Sequence, residues 1–560
     1  MTVVIVPCVA SSFLEKTILD FFGEKAFLWS GPPREAFEKL WEDADLFVCI
    51  GSLGIVVRLI APFLKDKKED PGILCVPGSG DFVIPLCGGH EKGVNALALR
   101  LARFLKAREV LTTASEAFGV FTPRELAERL GCALEGDREC EKAILGLLAR
   151  GDRVPLFVDD PFPLLPFPGY DTRPLTGPLP QTCLVLSERL FPETSALFLR
   201  PKTLAVGLGF RKACNTERLV ACIRDFLESQ GFALASLGEL VSISRKAEDL
   251  ALLAEKLGVQ SVLVDEDVLR DIPAPSPSPC AEKHLGLPGV AEPVLLARGY
   301  TLLAPKTVYP EVALALGRKP WSRRGSLLLV SLGDGANTIT LEALEALEEA
   351  EVILGYRAYL DLLPPRFRGR ALHRFSQMKQ EVERAKEALR LARCGSIVAL
   401  VSGGDVGVFG AVSPALEMAQ EEGIPFRVVP GVSAVSSAAA LFGSPLVKGF
   451  AVVSLSDYLT PWEEIQRNLE RLAGTDLTVS VYNIVGRGKE EKIAFLRETF
   501  ARARGQDLPV GIARKGGQKR VVRLCDLRPE DLDMSCLLLI PPRGVQSLGD
   551  VLIVSRGYRW

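Results

Sequence analysis

The stretch IVALVSGGDVGVFGA (397–411) joins a run of apolar, β-branched residues to a turn rich in glycine. The same order recurs in SLLLVSLGDG (326–335) and in FRVVPGVSAVSSAAA (426–440). Short apolar runs that alternate with helical stretches are typical of buried parallel strands. Glycine at the carboxyl end of a strand lets the backbone approach a ligand closely, and this edge of an α/β sheet is where ligands bind. The three turns therefore indicate a nucleotide-like site, although tight turns with helix packing explain the pattern equally well.

The length of 560 residues exceeds the size at which one hydrophobic core keeps growing. Apolar runs alternate with amphipathic stretches, which predicts a multidomain α/β protein with N-terminal α/β units followed by a two-lobed α/β module. A proline-rich stretch disfavours long helices, and the polar sequence RKPWSRRG interrupts the pattern before the last module. We expect the domains to be an α/β domain at 1–125, a proline-rich middle region at 126–200, a second α/β domain at 201–317, a linker at 318–325 and the two-lobed module at 326–560.

Charge and cysteine usage exclude several classes of protein. The formal net charge of −2 gives no overall field that would attract nucleic acid or an anionic membrane. The 13 cysteines include no C-x-x-C pair, which argues against a metal site and against a disulfide framework. No apolar run has the length of a membrane span, and the first residues read as a strand and not as a signal peptide. We therefore expect a cytoplasmic protein with no metal site of its own.

The glycine-rich turns resemble a known family. SGGDVGVFGA (402–411) resembles the S-x-G-D-P-G-V-[YF]-G segment of the tetrapyrrole methyltransferases, and VVSLSDYLTPWEEI (452–465) resembles their branch that methylates carbon 17 of precorrin-3B. The resemblance spans 326–560 and implies S-adenosylmethionine, bound in a cleft between two lobes. In this family, methylation is coupled to ring contraction and leaves a δ-lactone on ring A. The residues that the resemblance places around the cofactor are Gly333, Gly335, Gly404, Asp405, Val408, Phe409, Ser433, Tyr482 and Asn483.

The substrate of this family carries many carboxylates, which arginine binds well with its two-pronged guanidinium group. Arg514 follows a strand-like stretch and is our candidate, whereas we expect most other basic residues to lie on solvated faces. From the resemblance we also assign Ser456, Asp457 and Thr460 to substrate binding.

The sequence departs from the family pattern at three prolines, which are replaced by Asp334, Val406 and Ile484. Proline restricts the unfolded chain, so its loss predicts looser cofactor loops and weaker cofactor binding.

In the first half of the chain, the candidate functional residues are concentrated in GSLGIVVR (51–58) and GGHEKGVN (88–95). A histidine between glycines at a strand-to-helix junction can act as a base, and nearby amides can hold an oxyanion, although a lone histidine is commonly structural. These stretches resemble the G-[AS]-x-G-I-x-x-R and S-G-H-x-G-G-A-N segments of the cobalt-precorrin-5A hydrolase family, over residues 1–317. The resemblance implies hydrolytic opening of the ring-A lactone with release of acetaldehyde. We expect His90 or Glu91 to act as the base, with Arg58 and Asn95 binding a substrate carboxylate or the oxyanion.

The preferred hypothesis is thus a bifunctional enzyme of cobalamin biosynthesis that acts on cobalt-precorrin substrates, and its family usually forms homodimers. Two alternatives remain open: a tetrapyrrole-binding scaffold with one inactive lobe, and a methyltransferase for another corrin ring carbon. The cobalt would arrive with the substrate.

Overall fold

The structure is a computed structural model that describes residues 2–9, 11–66, 69–89, 92–111, 119–191, 195–210, 215–377, 380–410, 412–484, 486 and 488–557. The chain divides into two compact units, Met1–Asp152 and Arg153–Trp560, which are described separately.

The first unit contains a six-stranded sheet with helices on both faces. The strands of this sheet are β1 (Val3–Pro7), β2 (Ala26–Leu28), β3 (Leu46–Ile50), β4 (Gly72–Val76), β5 (Phe82–Cys87) and β6 (Arg108–Glu109). A further strand, β7 (Cys132–Gly136), follows later in the chain. Its helices are α1 (Ser12–Phe22), α2 (Pro33–Leu40), α3 (Leu53–Ile60), α4 (Val94–Leu105), α5 (Pro123–Leu130) and α6 (Arg138–Ala149). The predicted boundary between residues 125 and 126 falls inside α5.

The sheet of the first unit has the order β2-β1-β3-β4-β5-β6, in which β1 to β4 are parallel and β5 runs antiparallel to β4. Because β3 and β4 are buried on both faces, their sequences are continuously apolar and do not alternate. Helices α1 and α4 cover one face, and α2 and α3 cover the other.

The second unit begins with short parallel strands in the order β11-β10-β8-β9. Their bounds are β8 (Val154–Val158), β9 (Tyr170–Pro174), β10 (Leu184–Leu186) and β11 (Leu197–Pro201). The described part of 153–200 contains no helix, as its many prolines predict.

A five-stranded sheet follows, in the order β14-β13-β12-β16-β15. Its strands are β12 (Leu204–Phe210), β13 (Leu237–Ile243), β14 (Gln260–Val264), β15 (Thr301–Val308) and β16 (Val312–Arg318). The helices around it are α7 (Thr216–Ser229), α8 (Ala247–Leu257), α9 (Glu266–Leu269), α10 (Pro279–Leu285) and α11 (Ala291–Ala297).

The predicted linker at 318–325 has no regular secondary structure after β16 ends, but side-chain contacts hold it in place. Lys319 Nζ donates to Glu239 at 2.9 Å, and the Trp321 ring lies 5.0 Å from that of Phe162. Arg323 forms an ion pair with the buried carboxylate of Glu351 in the last module. Polar residues here tie neighbouring sheets together, which explains why the segment breaks the apolar pattern.

The last module has the two lobes that the sequence predicts. The first lobe is a parallel sheet in the order β18-β19-β17-β20, formed by β17 (Ser326–Ser331), β18 (Val352–Gly355), β19 (Ile397–Ser402) and β20 (Phe426–Val429). Its helices are α12 (Leu341–Glu349), α13 (Arg357–Leu360), α14 (Pro365–Arg368), α15 (Glu381–Arg393) and α16 (Ser413–Glu421).

The second lobe contains a mixed sheet in the order β22-β23-β26-β24-β25 and a small sheet in the order β21-β28-β27. The strands are β21 (Gly443–Ser444), β22 (Phe450–Ser454), β23 (Thr478–Tyr482), β24 (Pro509–Arg514), β25 (Gln518–Arg523), β26 (Cys536–Ile540), β27 (Gln546–Leu548) and β28 (Val551–Ile553). The helices are α17 (Ala434–Phe442), α18 (Trp462–Ala473) and α19 (Lys489–Arg504). The predicted multidomain α/β class is confirmed. Among the described residues, no helix combines the length and the apolar character that crossing a bilayer requires.

A buried arginine at the end of α19 holds the second lobe together. Arg504 donates five hydrogen bonds to backbone carbonyls, at the end of α18 and at the end of β26. Burial lowers the pKa of its guanidinium to about 10, which leaves the group charged at neutral pH. These carbonyls lie at the ends of a helix and a strand, where regular backbone donors become scarce, so the guanidinium adds donors at a buried position.

We predict that Arg504→Lys weakens this end of the lobe, because an ammonium group cannot reach five carbonyls. Losing several of these bonds costs about 2–4 kcal/mol of local stability. Hydrogen exchange of the amides at 462–475 and 536–541 should accelerate, whereas Arg502→Lys, an exposed change on the same helix, should leave exchange unchanged. Equal exchange in the two variants would contradict the assignment.

Candidate functional site

The first two glycine-rich turns of the last module are joined to each other. Gly333 follows β17, Gly404 follows the neighbouring β19, and each donates its N–H to the carbonyl of the other, at 3.1 and 2.7 Å. Both glycines have a positive φ, +68° and +65°, which other residues adopt only with strain. The turns therefore lie side by side at the carboxyl edge of the sheet.

The third turn is fastened to the second by a carboxylate. Asp405 Oδ1 accepts the N–H of Gly407 at 2.8 Å, and Oδ2 accepts the N–H of Gly431 at 2.9 Å. Gly431 packs so closely that a Cβ there would lie 2.4 Å from the Cβ of Ser331 and 2.6 Å from the carbonyl oxygen of Gly404. The three predicted turns thus form a single crevice, and both carboxylate oxygens of Asp405 are engaged in holding it.

The replaced prolines have compensating contacts. At the first turn, Thr338 Oγ1 accepts the N–H groups of Asp334 and Gly335, at 2.8 and 3.0 Å. The amide of Val406 donates to Ser331 Oγ at 3.0 Å, and Ile484 is buried in the core of the second lobe. Burial raises the pKa of the Asp334 carboxyl, and the nearby Lys515 opposes part of this rise.

The mouth of the crevice is open at two glycines. A Cβ at Gly335 would meet nothing within 4 Å, and one at Gly404 would meet its nearest atom only at 3.5 Å. Val408 donates its N–H to the carbonyl of Asp405 at 3.0 Å, and the next residue, Phe409, is half-exposed. Backbone and aromatic surface are therefore accessible to a ligand here.

The second lobe closes the crevice through Tyr482, at the end of β23. Its hydroxyl accepts the N–H of Val435 at 2.8 Å and lies 3.3 Å from Ser433 Oγ, both at the start of α17. Its ring lies 5.3 Å from that of Phe409. Burial raises the pKa of the tyrosine hydroxyl, so it remains protonated at neutral pH. Phe409 and Asn483 both have left-handed backbones, with φ of +52° and +51°, and such strain clusters at functional sites.

The motif after β22 lies next to Asn483. Ser454 Oγ accepts the amide group of Asn483 at 3.0 Å and the N–H of Ser456 at 3.2 Å. Asp457 forms an ion pair with Lys492 at 2.8 Å, and Thr460 is half-buried at the end of the same loop. Lys492 lies on α19 with only 5% of its surface exposed. Sequence reasoning missed Lys492, because a lysine on a helix is ordinarily interpreted as a solvated residue.

The basic residues have different roles. Arg514 donates to the carbonyl of Asp531 at 2.9 Å and lies 3.6 Å from Asp533, with part of its side chain exposed. Arg370 donates to carbonyls at the end of α12 and pairs with Glu348, as does Arg366. Arg366 and Arg370 are therefore structural, and neither lies on the solvated face that was expected for most basic residues.

In the first unit, the loops after β1, β3 and β4 meet at the carboxyl edge of the sheet. Cys8 donates its N–H to Ile50 at 2.8 Å, and Gly51 donates to Val76 at 2.9 Å. Arg58 folds back onto the first turn of α3 at this edge, where its guanidinium donates to the carbonyl of Gly54 at 3.0 Å.

Asn95 lies at the opposite edge. Because β5 is antiparallel to β4, its end meets the beginning of β4, and a Cβ at Gly88 would lie 3.1 Å from Gly72 Cα. A five-residue strand spans about 16 Å, so Arg58 and Asn95 lie at opposite edges of this sheet. Asn95 is only 7% exposed, and its Nδ2 has no hydrogen-bond partner among the residues that the structure describes. His90 and Glu91 lie outside the described residues.

The glycines of β12 serve packing. A Cβ at Gly207 would lie 2.0 Å from the carbonyl oxygen of Ala291, so α11 can approach the strand only because this position has no side chain. The segment at 211–214, which follows this strand, lies outside the described residues.

Three families match this chain. Residues 326–527 match the Tetrapyrrole (Corrin/Porphyrin) Methylases, residues 35–116 match Cobalamin synthesis G N-terminal, and residues 204–317 match Cobalamin synthesis G C-terminus.

Individual relatives match either part of the chain. The probable cobalt-factor III C(17)-methyltransferase of Salmonella typhimurium is 33% identical over 41% of this chain and 99% of its own length. The cobalt-precorrin-5A hydrolase of Priestia megaterium is 29% identical over 48% of this chain and 76% of its own length. The crystal structure of the methyltransferase CobJ, at 31% identity, covers 41% of this chain and 100% of its own, with a TM-score of 0.39. The chain spans only about half the length of some other relatives, such as 46% of the cobalt-factor III methyltransferase of Priestia megaterium.

These matches confirm the predicted fusion of a hydrolase-like first part with a methyltransferase-like last module. The chain belongs to the tetrapyrrole methylase family and carries, before its methylase module, the two domains of the cobalamin synthesis G type.

Proposed function

We propose that the chain is a bifunctional enzyme of cobalamin biosynthesis. Its last module transfers a methyl group from S-adenosylmethionine to carbon 17 of a cobalt-precorrin-3 intermediate, with ring contraction. Its first part opens the lactone of cobalt-precorrin-5A by hydrolysis and releases acetaldehyde. The observation that carries this proposal is the single crevice formed by the three turns, within a methylase module that follows the two cobalamin synthesis G domains.

The residues of the crevice fit S-adenosylmethionine. When bound, this cofactor supplies an electrophilic methyl group on a positively charged sulfur. The faces of Phe409 and Tyr482 attract a cation, and the open glycines leave room for a ligand against the backbone. We assign cofactor binding to Gly333, Gly335, Gly404, Val408, Phe409, Ser433, Tyr482 and Asn483. We assign Asp405 to the same site, where its carboxylate also fixes the turns by accepting the N–H groups of Gly407 and Gly431.

The contribution of the protein to methyl transfer is alignment. Holding two reactants in a productive geometry supplies a large part of the acceleration of a bimolecular reaction. We assign macrocycle binding to Ser456, Asp457 and Thr460, on the loop after β22, and to Arg514, whose exposed guanidinium can bind a carboxylate arm. The cobalt is part of the substrate in this proposal.

For lactone opening, Asn95 is the best-supported group. Its buried Nδ2 has no partner in the described part of the chain, and an unsatisfied buried donor is costly unless a ligand completes it. We assign Nδ2 as a donor to the carbonyl oxygen of the lactone and either His90 or Glu91 as the base that activates water. Arg58 lies at the other edge of the sheet and is too far away to share this lactone.

The fusion suits the chemistry, because one module creates the lactone that the other destroys. Tethering raises the effective concentration of a labile intermediate. We also propose a homodimer that acts in the cytoplasm, and light scattering of the full chain measures its oligomeric mass.

The direct experiment is to incubate the full chain with a cobalt-loaded precorrin-3 macrocycle and S-adenosylmethionine labelled in its methyl group. We expect the label at carbon 17 in the NMR spectrum of the product. A label at another ring carbon would redirect the module to that carbon, and the absence of both label and cofactor binding would leave a scaffold with an inactive lobe.

We predict that Gly335→Ala weakens S-adenosylhomocysteine binding about tenfold or more while the protein stays folded. The backbone there is extended and the added methyl group meets no protein atom within 4 Å, so it should leave the fold intact and obstruct only the bound ligand. Calorimetric titration measures the affinity, and Gly474→Ala, at the end of α18, is the control. Undiminished affinity in Gly335→Ala would remove Gly335 from the site.

We predict that Asn95→Ala lowers the rate of lactone opening by about 10²–10³-fold, as is typical for the loss of an oxyanion donor. Methylation by the other module should be unaffected. Acetaldehyde release measures the rate, and Arg58→Ala is the control that should retain it. If Arg58→Ala abolished hydrolysis and Asn95→Ala spared it, the site would belong at the carboxyl edge of the sheet.

A further inference from the structure

The loop between β22 and α18 presents an unusually exposed apolar tip. The side chain of Leu459 is 89% exposed, the largest fraction among the large hydrophobic residues described, and the neighbouring Tyr458 is 65% exposed. An apolar side chain held in water gives up the free energy that its burial would provide. Such a tip stays exposed only if the rest of the loop is held in place, and side-chain contacts hold this loop at its base.

The base of the loop is fixed by Lys492. Its ammonium group donates to Asp457 at 2.8 Å and to the carbonyl of Leu455 at 3.2 Å, just before the tip. It also lies 5.4 Å from the centre of the Trp462 ring, which begins α18 just after the tip. Trp462 in turn packs against Phe495 of α19, at 5.7 Å. A single buried lysine thus holds both sides of the loop and projects its tip outward.

The base of this loop lies beside the crevice. Its strand β22 pairs in parallel with β23, so the loops after both strands emerge at the same edge of the second lobe's sheet. Ser454 links these two loops through Asn483, and the preceding residue, Tyr482, contacts Phe409 and the third turn of the first lobe. The chain of contacts runs without interruption from the cofactor turns to the base of the tip.

The pairing of the carboxylate on this loop is also compatible with a macrocycle that carries carboxylate arms. A corrin precursor has a flat apolar ring surrounded by carboxylate arms, and an unpaired carboxylate near those arms would repel them. The carboxylate of Asp457 is paired with the ammonium group of Lys492, so the loop presents its apolar tip next to a compensated charge.

We infer that Tyr458 and Leu459 form an apolar platform for the flat face of the macrocycle, and that Lys492 is the positioning residue that holds this platform. The inference rests on the proposed methyltransferase function and extends it by naming the residues that select a large flat substrate.

The test uses Leu459→Ser in the full chain, with the cobalt-loaded macrocycle and S-adenosylmethionine. Losing the burial of a leucine should raise KM for the macrocycle about ten- to hundredfold, with kcat and S-adenosylhomocysteine affinity nearly unchanged. The control is Leu548→Ser, an equally apolar and 65% exposed position on β27, which should leave KM unchanged.

Lys492 is tested by a pair of variants. Lys492→Met keeps the apolar stem beneath Trp462 but removes the donor to Asp457, so it should raise KM as Leu459→Ser does. Lys492→Arg restores a charged donor and should recover most of the affinity. A loss of kcat and cofactor affinity that Arg does not rescue would show a merely structural role and would overturn the positioning assignment.

The outcomes separate this inference from the proposed function. If the unaltered chain fails to methylate the macrocycle, the proposed function fails. If it methylates the macrocycle and Leu459→Ser leaves KM unchanged, the platform is refuted although the function stands. A change in the oligomeric mass of Leu459→Ser with KM unaltered would instead assign the tip to an interface between copies of the chain and would also refute the platform.

Discussion

The carboxylate of Asp405 is the constraint on which the methylase module depends. It joins two turns that follow different strands by accepting one amide proton from each side, while the paired amides of Gly333 and Gly404 join the remaining turn. Hydrogen bonds from backbone amides to a charged acceptor are among the stronger ones in proteins. Without this acceptor, the third turn would lose the hydrogen bond that fastens it to the second, and the cradle would be weakened on that side.

The second lobe contacts the crevice that Asp405 helps to hold together. Tyr482 reaches the start of α17, which directly follows the third turn, and the residues with strained backbones, Phe409 and Asn483, lie next to Tyr482. Strain of this kind persists where the surrounding structure fixes it. A crevice whose shape is set by the protein before the ligand arrives avoids part of the cost of ordering it on binding.

Much of this organisation could be predicted from the sequence. Buried parallel strands are continuously apolar, so β17 and β19 and the turns after them were predictable, as was the lack of long helices in the proline-rich stretch from residue 153 to 200. The expected reactions were inferred from the resemblance to known families. What the sequence could not supply was the direction of β5, since an apolar run has the same pattern in either direction. For this reason the sequence did not reveal that Arg58 and Asn95, both expected to bind a substrate carboxylate or the oxyanion, lie at opposite edges of the sheet.

Other roles could not be inferred from the sequence, because they depend on partners distant in sequence. Lys492 looks like a solvated lysine until its contact with Asp457 is known. The lost prolines suggested looser loops, yet Thr338 and Ser331 supply hydrogen bonds that hold the same turns. Asp405, expected beside the cofactor, uses both of its oxygens on backbone amides. Composition and spacing indicate which residues are available for chemistry, but tertiary contacts decide how each is used.

The central claim is that the three turns form one crevice for one ligand, and hydrogen exchange measures this most directly. S-adenosylhomocysteine added to the full chain should protect the amides at 331–340, 402–410 and 429–437 together, with the same dependence on its concentration. Protection confined to one of these segments, or half-saturation at different concentrations in each, would contradict the account.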